Sequence, residues 1–398
     1  MEPRIAAKVR AMPSVGSRIL STQVDAVRER GVDVLPLMPY ADRVAESHVV
    51  EAVERELCGN REAPSRGLSE LRSAVAAYVG DEIGRTVDAQ TDVLICNGAM
   101  QALNLVFRAI LNPGDEVIIP APCYFFGGCV ELAGGRPVYV LMDEAEGFRW
   151  DIERIAGAIT SRSVAIVVNT PVNPTGVVLN EDELGAVAQL GEEHDLLVIA
   201  DESYDTMVYD GASHLSMACL PGAAGGVLLI RSFTKSFAMP AWRVGYLVGP
   251  PDIVDACTKA LEWEQLHSNH VAQAAAAACM RGPREFQVEM ADEFQRARDT
   301  IYPLVQAVPG LQAIRPAGGP FVFVNVSKVF KSSEDASRVF LDAGVPTTPG
   351  HYCQSDQHVR LAFGASVGVL REAGRRIQQV IVAQPAPSAG DAVHANGG

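Results

Sequence analysis

The sequence has 398 residues, 48% of them apolar and 20% charged, with 33 Lys and Arg against 48 Asp and Glu for a formal net charge of −15. That length exceeds the roughly 250–300 residues at which one hydrophobic core stops growing, so two domains are expected. The acidic balance argues against a general nucleic-acid surface, although it leaves room for a local basic pocket that takes one small anion. The first residues, Met1-Glu2-Pro3-Arg4, carry no apolar signal core, and no run approaches the ~18 apolar residues of a membrane span. A cytoplasmic protein with neither nucleic acid nor membrane as partner is expected. Eight cysteines are scattered without a Cys-x-x-Cys pair, which reads as buried, reduced thiols and predicts no metal site.

From residue 93 onward, strand-like apolar runs alternate with helical stretches. The runs cover 93–96, 116–120, 137–141, 165–169, 196–200, 227–231 and 244–248, and most are continuous blocks of Val, Ile and Leu. Such blocks suit strands buried on both faces of a largely parallel sheet. Amphipathic stretches such as 68–79 and 181–194 separate them, which predicts a doubly wound α/β domain of about seven strands. After about residue 275 the pattern becomes α+β: a helix over 283–308, a strand over 319–326, a helix over 333–343 and a strand at 359–362. The expected organisation is a large α/β domain over 45–275 and a smaller α+β domain built from 1–44 plus 276–383. The Pro-, Ala- and Gly-rich segment 384–398 is expected to be a disordered tail.

Ligands of open α/β sheets bind at the carboxyl ends of the strands, so the polar residues there carry the functional reading. The first run ends in Asn97-Gly98-Ala99-Met100, which opens a helix and offers free amides to an anion. The second ends in Pro122-Cys123-Tyr124, whose aromatic ring suits either a planar ligand or the core. Two sharper signals follow: Asn169-Thr170-Pro171-Val172-Asn173-Pro174-Thr175-Gly176, and Asp201-Glu202-Ser203-Tyr204, an acid at the ligand edge. Beyond the next run, Ser232-Phe233-Thr234-Lys235 to Arg243 places a lysine and an arginine eight residues apart.

Taken in order, these motifs resemble those of the class I/II aminotransferases, fold type I enzymes that use pyridoxal 5′-phosphate (PLP). The likeness spans roughly residues 49–364. It implies that Lys235 carries PLP as a Schiff base and moves protons at the substrate Cα, through a pyridoxamine phosphate stage. By the same likeness Asp201 pairs with the pyridine nitrogen, Asn173 and Tyr204 donate to the phenolic oxygen, and Tyr124 stacks on the ring. The phosphate is taken by the turn Gly98-Ala99-Met100, by Ser232 and by Arg243. Arg360, in His358-Val359-Arg360-Leu361, matches the family's clamp for the substrate α-carboxylate. The resemblance also implies a homodimer with shared active sites.

The sequence leaves the family pattern at two places. Glu62 stands where members usually carry a tyrosine that reaches the neighbouring subunit's phosphate; either it turns away, or Arg61 takes over the contact, or Glu62 faces the substrate pocket. Pro39 and Tyr40 replace a glycine-rich loop near the substrate entrance, which makes Tyr40 a candidate substrate contact. His270 reads as a packing or capping residue. Because PLP does not itself select the bond that breaks, a β-eliminating lyase or a decarboxylating or oxidatively deaminating enzyme on the same scaffold is the alternative. A non-catalytic PLP-binding regulator is the rival from another class.

Overall fold

Seven strands form the central sheet of the computed structural model, which describes residues 4–41, 43–59, 62–222 and 226–383. They are β1 (Val93–Cys96), β2 (Glu116–Ala121), β3 (Arg136–Leu141), β4 (Ser163–Asn169), β5 (Leu197–Asp201), β6 (Val227–Ser232) and β7 (Gly245–Val248), in the order β1-β7-β6-β5-β4-β2-β3. β1, β2, β6 and β7 are buried along their whole length, as their unbroken apolar runs require, whereas β3 at the edge is largely open. Strands β2 to β6 pair in parallel, and β7 runs antiparallel to both β1 and β6. The reversal has a local cause: only residues 233–244 join β6 to β7, with a one-turn helix Phe233–Ser236, too little for a crossover helix.

The helices begin and end where side chains satisfy the backbone. Asn180 caps the helix Glu181–Glu193 by accepting from the Glu183 amide at 2.9 Å, while the Glu183 carboxylate accepts from the Asn180 amide at 2.9 Å. Pro251 opens the helix Pro251–Gln265, where its missing N–H costs nothing. The helices Glu285–Gln306 and Ser333–Asp342 occupy the expected stretches.

A second sheet holds β8 (Gln312–Ala313), β9 (Phe321–Asn325), β10 (Thr348–Pro349) and β11 (His358–Ala362), all antiparallel, in the order β10-β11-β9-β8. The two-residue strands β8 and β10 are too short to leave a periodic signature. Leu35 and Leu37, near the start of the chain, share a core with Val322, Leu361 and Ile377. All eight cysteines are free, but Cys58 is exposed and Cys219 and Cys279 are only half-buried, contrary to the expectation that each is buried. Among the described residues no helix is long and apolar enough to cross a membrane. The tail 384–398, Arg61 and Asp42 lie outside the described residues.

Candidate functional site

The parallel pairing brings the carboxyl ends of β4, β5 and β6 to one edge, with Asn169 opposite Asp201 in the register. There a cavity of about 250 Å³ is lined by Ala99, Met100, Tyr124, Asn173, Asp201, Tyr204, Ser232, Lys235, Arg243 and Arg360, among others. Ten residues singled out from motifs as far apart as 99 and 360 therefore converge in one site.

At one wall, Gly98 precedes the helix Ala99–Ile110 with φ +81°. A Cβ at that position would fall 2.6 Å from a guanidinium nitrogen of Arg243, so only glycine lets the arginine approach the helix N-terminus. Arg243, itself exposed, donates to the Thr234 hydroxyl and to the Pro240 carbonyl, both at 3.2 Å. The Ser232 hydroxyl accepts from the Thr234 amide at 3.1 Å. Free amides, a hydroxyl and a guanidinium facing one another make an anion cradle.

On the floor, the Asp201 carboxylate accepts from the Ser203 hydroxyl at 2.6 Å and the Ser203 amide at 3.1 Å. Burial pushes its pKa up to about 6 against the opposing pull of those hydrogen bonds. Among the described residues no basic side chain pairs with it, so the carboxylate is suited to a cationic N–H that a ligand brings. Asn169 donates to the Asp201 carbonyl at 2.9 Å and accepts from the Asn173 amide at 2.8 Å, tying the two strand ends together.

Lys235 donates to the Pro39 carbonyl at 3.0 Å, and its Nζ lies 5.1 Å from the Tyr40 ring centre and 5.7 Å from that of Tyr204. Burial first, then the Arg360 and Arg243 charges, push this lysine down to about 7. An amine so poised is part-neutral, and hence nucleophilic and basic, at physiological pH. Arg360 on β11 donates to the Asn173 side-chain oxygen at 2.8 Å and to the Thr348 hydroxyl at 3.2 Å. Its guanidinium is sandwiched by the Tyr124 and Phe321 rings, at 4.2 and 4.5 Å from their centres. Asn173 also donates to the Tyr204 hydroxyl, at 3.4 Å. The site thus gathers three basic side chains against one carboxylate, inside a chain of net charge −15.

Of the remaining candidates, Gly98 and Tyr40 border the site without lining the cavity, and Glu62 falls outside it. Glu62 does not reach the cavity of its own chain. Buried Ala63 and tightly packed Gly67, where a Cβ would meet Ile95 at 2.5 Å, pin the segment and leave Glu62 exposed. His270 bonds Glu56 at 2.6 Å across two helices, a packing arrangement as expected. Sequence reasoning missed Ser17, whose amide donates to the Tyr124 hydroxyl at 2.8 Å, and also Thr234 and Phe321. Thr234 carried a signal, being enclosed by the Ser232-to-Lys235 motif; Ser17 and Phe321 carried none.

The family model for aminotransferase class I and II matches residues 47–377. An aspartate aminotransferase of Bacillus subtilis is 32% identical, over 95% of this chain and 99% of its own length. An aspartate/prephenate aminotransferase of Thermus thermophilus is 35% identical, over 94% and 98%. The solved structure of aspartate aminotransferase from Thermus thermophilus with maleate superposes with a TM-score of 0.90 at 33% identity, covering 95% of this chain and all of that one.

Proposed function

The chain belongs to the class I and II aminotransferases, and from that membership we propose that it transfers the amino group of an α-amino acid with PLP held in the cavity around Lys235. It is a transferase enzyme with a fold type I sheet. The observation that carries the reading of the site is geometric: Lys235, Arg243, Arg360 and the buried Asp201 carboxylate, with which no basic side chain among the described residues pairs, line one cavity. The residues present fit the cofactor. The cradle at Gly98 and Arg243 accommodates a phosphate, and Asp201 lacks only the cationic N–H that a protonated pyridine provides.

When bound, PLP withdraws electrons from the substrate Cα. The chain's own residues do the rest. The amides of Ala99 and Met100, the Ser232 hydroxyl and Arg243 would hold the phosphate. Asp201 would keep a proton on the ring nitrogen, while Asn173 and Tyr204 would donate to the phenolic oxygen. Tyr124 would pack against the ring. The Lys235 amine would tether the cofactor; once displaced by the substrate's own amino group, the freed amine would take the proton from the substrate Cα and hand it back to the cofactor side, a role its lowered basicity suits. Arg360 grips the α-carboxylate with two parallel N–H bonds, its plane already set by Asn173, Thr348 and the flanking rings. Tyr40, beside Lys235, bounds the substrate entrance.

Arg360→Lys keeps the charge but loses the planar fork. It should raise KM for every amino donor about ten- to hundredfold while leaving PLP affinity unchanged, as read from initial rates and cofactor titration. Equal KM values in the two proteins would place the carboxylate elsewhere.

The relatives' names make L-aspartate the leading donor. A second reading, an uncharged aromatic donor, is favoured by the lining of Met100, Phe125, Phe126 and Phe321, which adds no cation to Lys235, Arg243 and Arg360. A donor panel with a 2-oxo acid acceptor, followed by product analysis, separates the two. Ammonia, pyruvate or CO₂ released without an acceptor would replace transfer by elimination, oxidative deamination or decarboxylation.

We also infer a symmetric homodimer with shared sites. Leu57, Trp263 and Leu266 are 67%, 94% and 63% exposed, a poor arrangement for a lone chain, and Glu62 is free to face a second copy. Light scattering should return twice the mass of one chain; a fully active monomer would exclude the shared site.

A further inference from the structure

In β6, Arg231 and Ser232 point to opposite faces, as successive strand residues do, so Arg231 faces away from the cavity. Behind it, Glu202, Asp205 and Ser236, each next in the chain to a site residue, meet Arg231 or one another in one buried cluster. The Arg231 side chain is 3% exposed, and its guanidinium lies 2.5 Å from one Glu82 oxygen, 2.8 Å from the other, 2.7 Å from Glu202 and 3.2 Å from Asp205. Glu202 also accepts from the Met217 amide at 2.7 Å and the Ser216 hydroxyl at 3.0 Å, with His214 at 3.1 Å. The Ser236 hydroxyl donates to Asp205. Glu202 adjoins Asp201, Asp205 adjoins Tyr204, Arg231 adjoins Ser232 and Ser236 adjoins Lys235.

Glu82, Glu202 and His214 are spaced so that they could hold a metal ion. Arg231 already occupies both carboxylates, however, and a second cation would meet it at close range. Burial alone would raise Glu202, yet His214 and Arg231 outweigh it and hold the carboxyl at about 2. Such a network is a weak source of stability, because desolvation offsets the attraction, but its directional bonds fix geometry.

We propose that the Arg231 cluster is the positioning element of the site, locking Asp201, Tyr204, Ser232 and Lys235 in one mutual register from behind. The proposal rests on the reading of those four residues given above. It assigns a role to Arg231, Glu82, Glu202, Asp205 and Ser236, none of which touches the cavity. A purely structural ion cluster is available as the control: Arg298 is fully buried, paired with Asp210 and Asp299 at 2.8 Å, and adjoins none of the four.

The test uses Ser236→Ala, Arg231→Lys and Arg298→Met beside the parent and Lys235→Met. Each protein is measured for Tm without cofactor, for PLP affinity by fluorescence titration, and for kcat and KM. Ser236→Ala and Arg231→Lys should weaken PLP binding about tenfold and lower kcat about 10- to 100-fold with KM little changed, since a displacement of about 1 Å at a reacting group costs that much. Arg298→Met should lower Tm while leaving PLP affinity within about twofold. Parent-like PLP affinity and kcat in Ser236→Ala and Arg231→Lys would overturn the proposal, and so would equal losses in Arg298→Met. Should Arg231→Lys fail to fold, Ser236→Ala, which removes one hydroxyl, decides alone. Transamination retained by Lys235→Met would instead overturn the reading of the site and leave the cluster's role to be judged by PLP affinity.

Discussion

Lys235→Met should lower amino transfer by about 10⁴-fold or more, because the variant loses both the covalent tether and the base at the substrate Cα. Methionine keeps the length and volume of the stem, so the loss belongs to the amine. The same substitution should make the cofactor-free protein more stable at neutral pH. Folding lowers this lysine from its ordinary 10.5 to about 7. Between those values the unfolded chain binds a proton that the folded chain does not, so stability rises with pH across that window. Below about pH 7 the folded protein carries the buried charge at its full cost, on the order of several kcal/mol as an upper bound. The gain from methionine is therefore largest at and below pH 7 and fades toward pH 10.5. Denaturant titrations of both cofactor-free proteins at several pH values measure it; a variant less stable at pH 7 would show that Nζ is not under strain.

Asp201→Asn should lower kcat about 10²- to 10³-fold, the usual cost of losing one fixed charge-assisted bond in a water-poor site, with KM changing much less. The amide keeps the shape and the hydrogen bond to Ser203 but cannot hold a proton on a facing ring nitrogen. Glu202 gives no rescue, because its oxygens are committed to Arg231, His214, Ser216 and Met217. A kcat within about tenfold of the parent would mean that Asp201 does not hold the ring proton.

The sheet was legible because strands buried on both faces need unbroken Val, Ile and Leu, and β1, β2, β4, β5 and β6 have them. The antiparallel course of β7 was not, since its residues resemble those of its parallel neighbours and direction resides in the length of the connection. Site residues at strand ends, such as Asp201 and Lys235, were legible from position and type together. Ser17 and Phe321 were not, because their contribution depends on distant segments folding back: one gives an amide and one a ring face, and neither is distinctive in a sequence. Pro39 was placed near the substrate entrance, but the bond from Lys235 to its carbonyl was not foreseen. Arg231 marks another limit. As the last residue of the apolar run 227–231 it read as an ordinary strand end, yet it is 2% exposed and surrounded by three carboxylates.

Contacts that close the site join segments far apart in the chain: Ser17 to Tyr124, Pro39 to Lys235, and Asn173 to Arg360. A ribosome delivers these pieces in order. On the proposed reading, the residues that would hold the cofactor's phosphate and ring nitrogen are all synthesised by the end of β7, more than a hundred residues before Arg360. The helix at the cradle, Ala99–Ile110, packs against Pro251–Gln265 and so waits for that helix to be made. Arg360 takes its place only when β11 pairs with β9, and a truncation before β11 is expected to lose amino transfer.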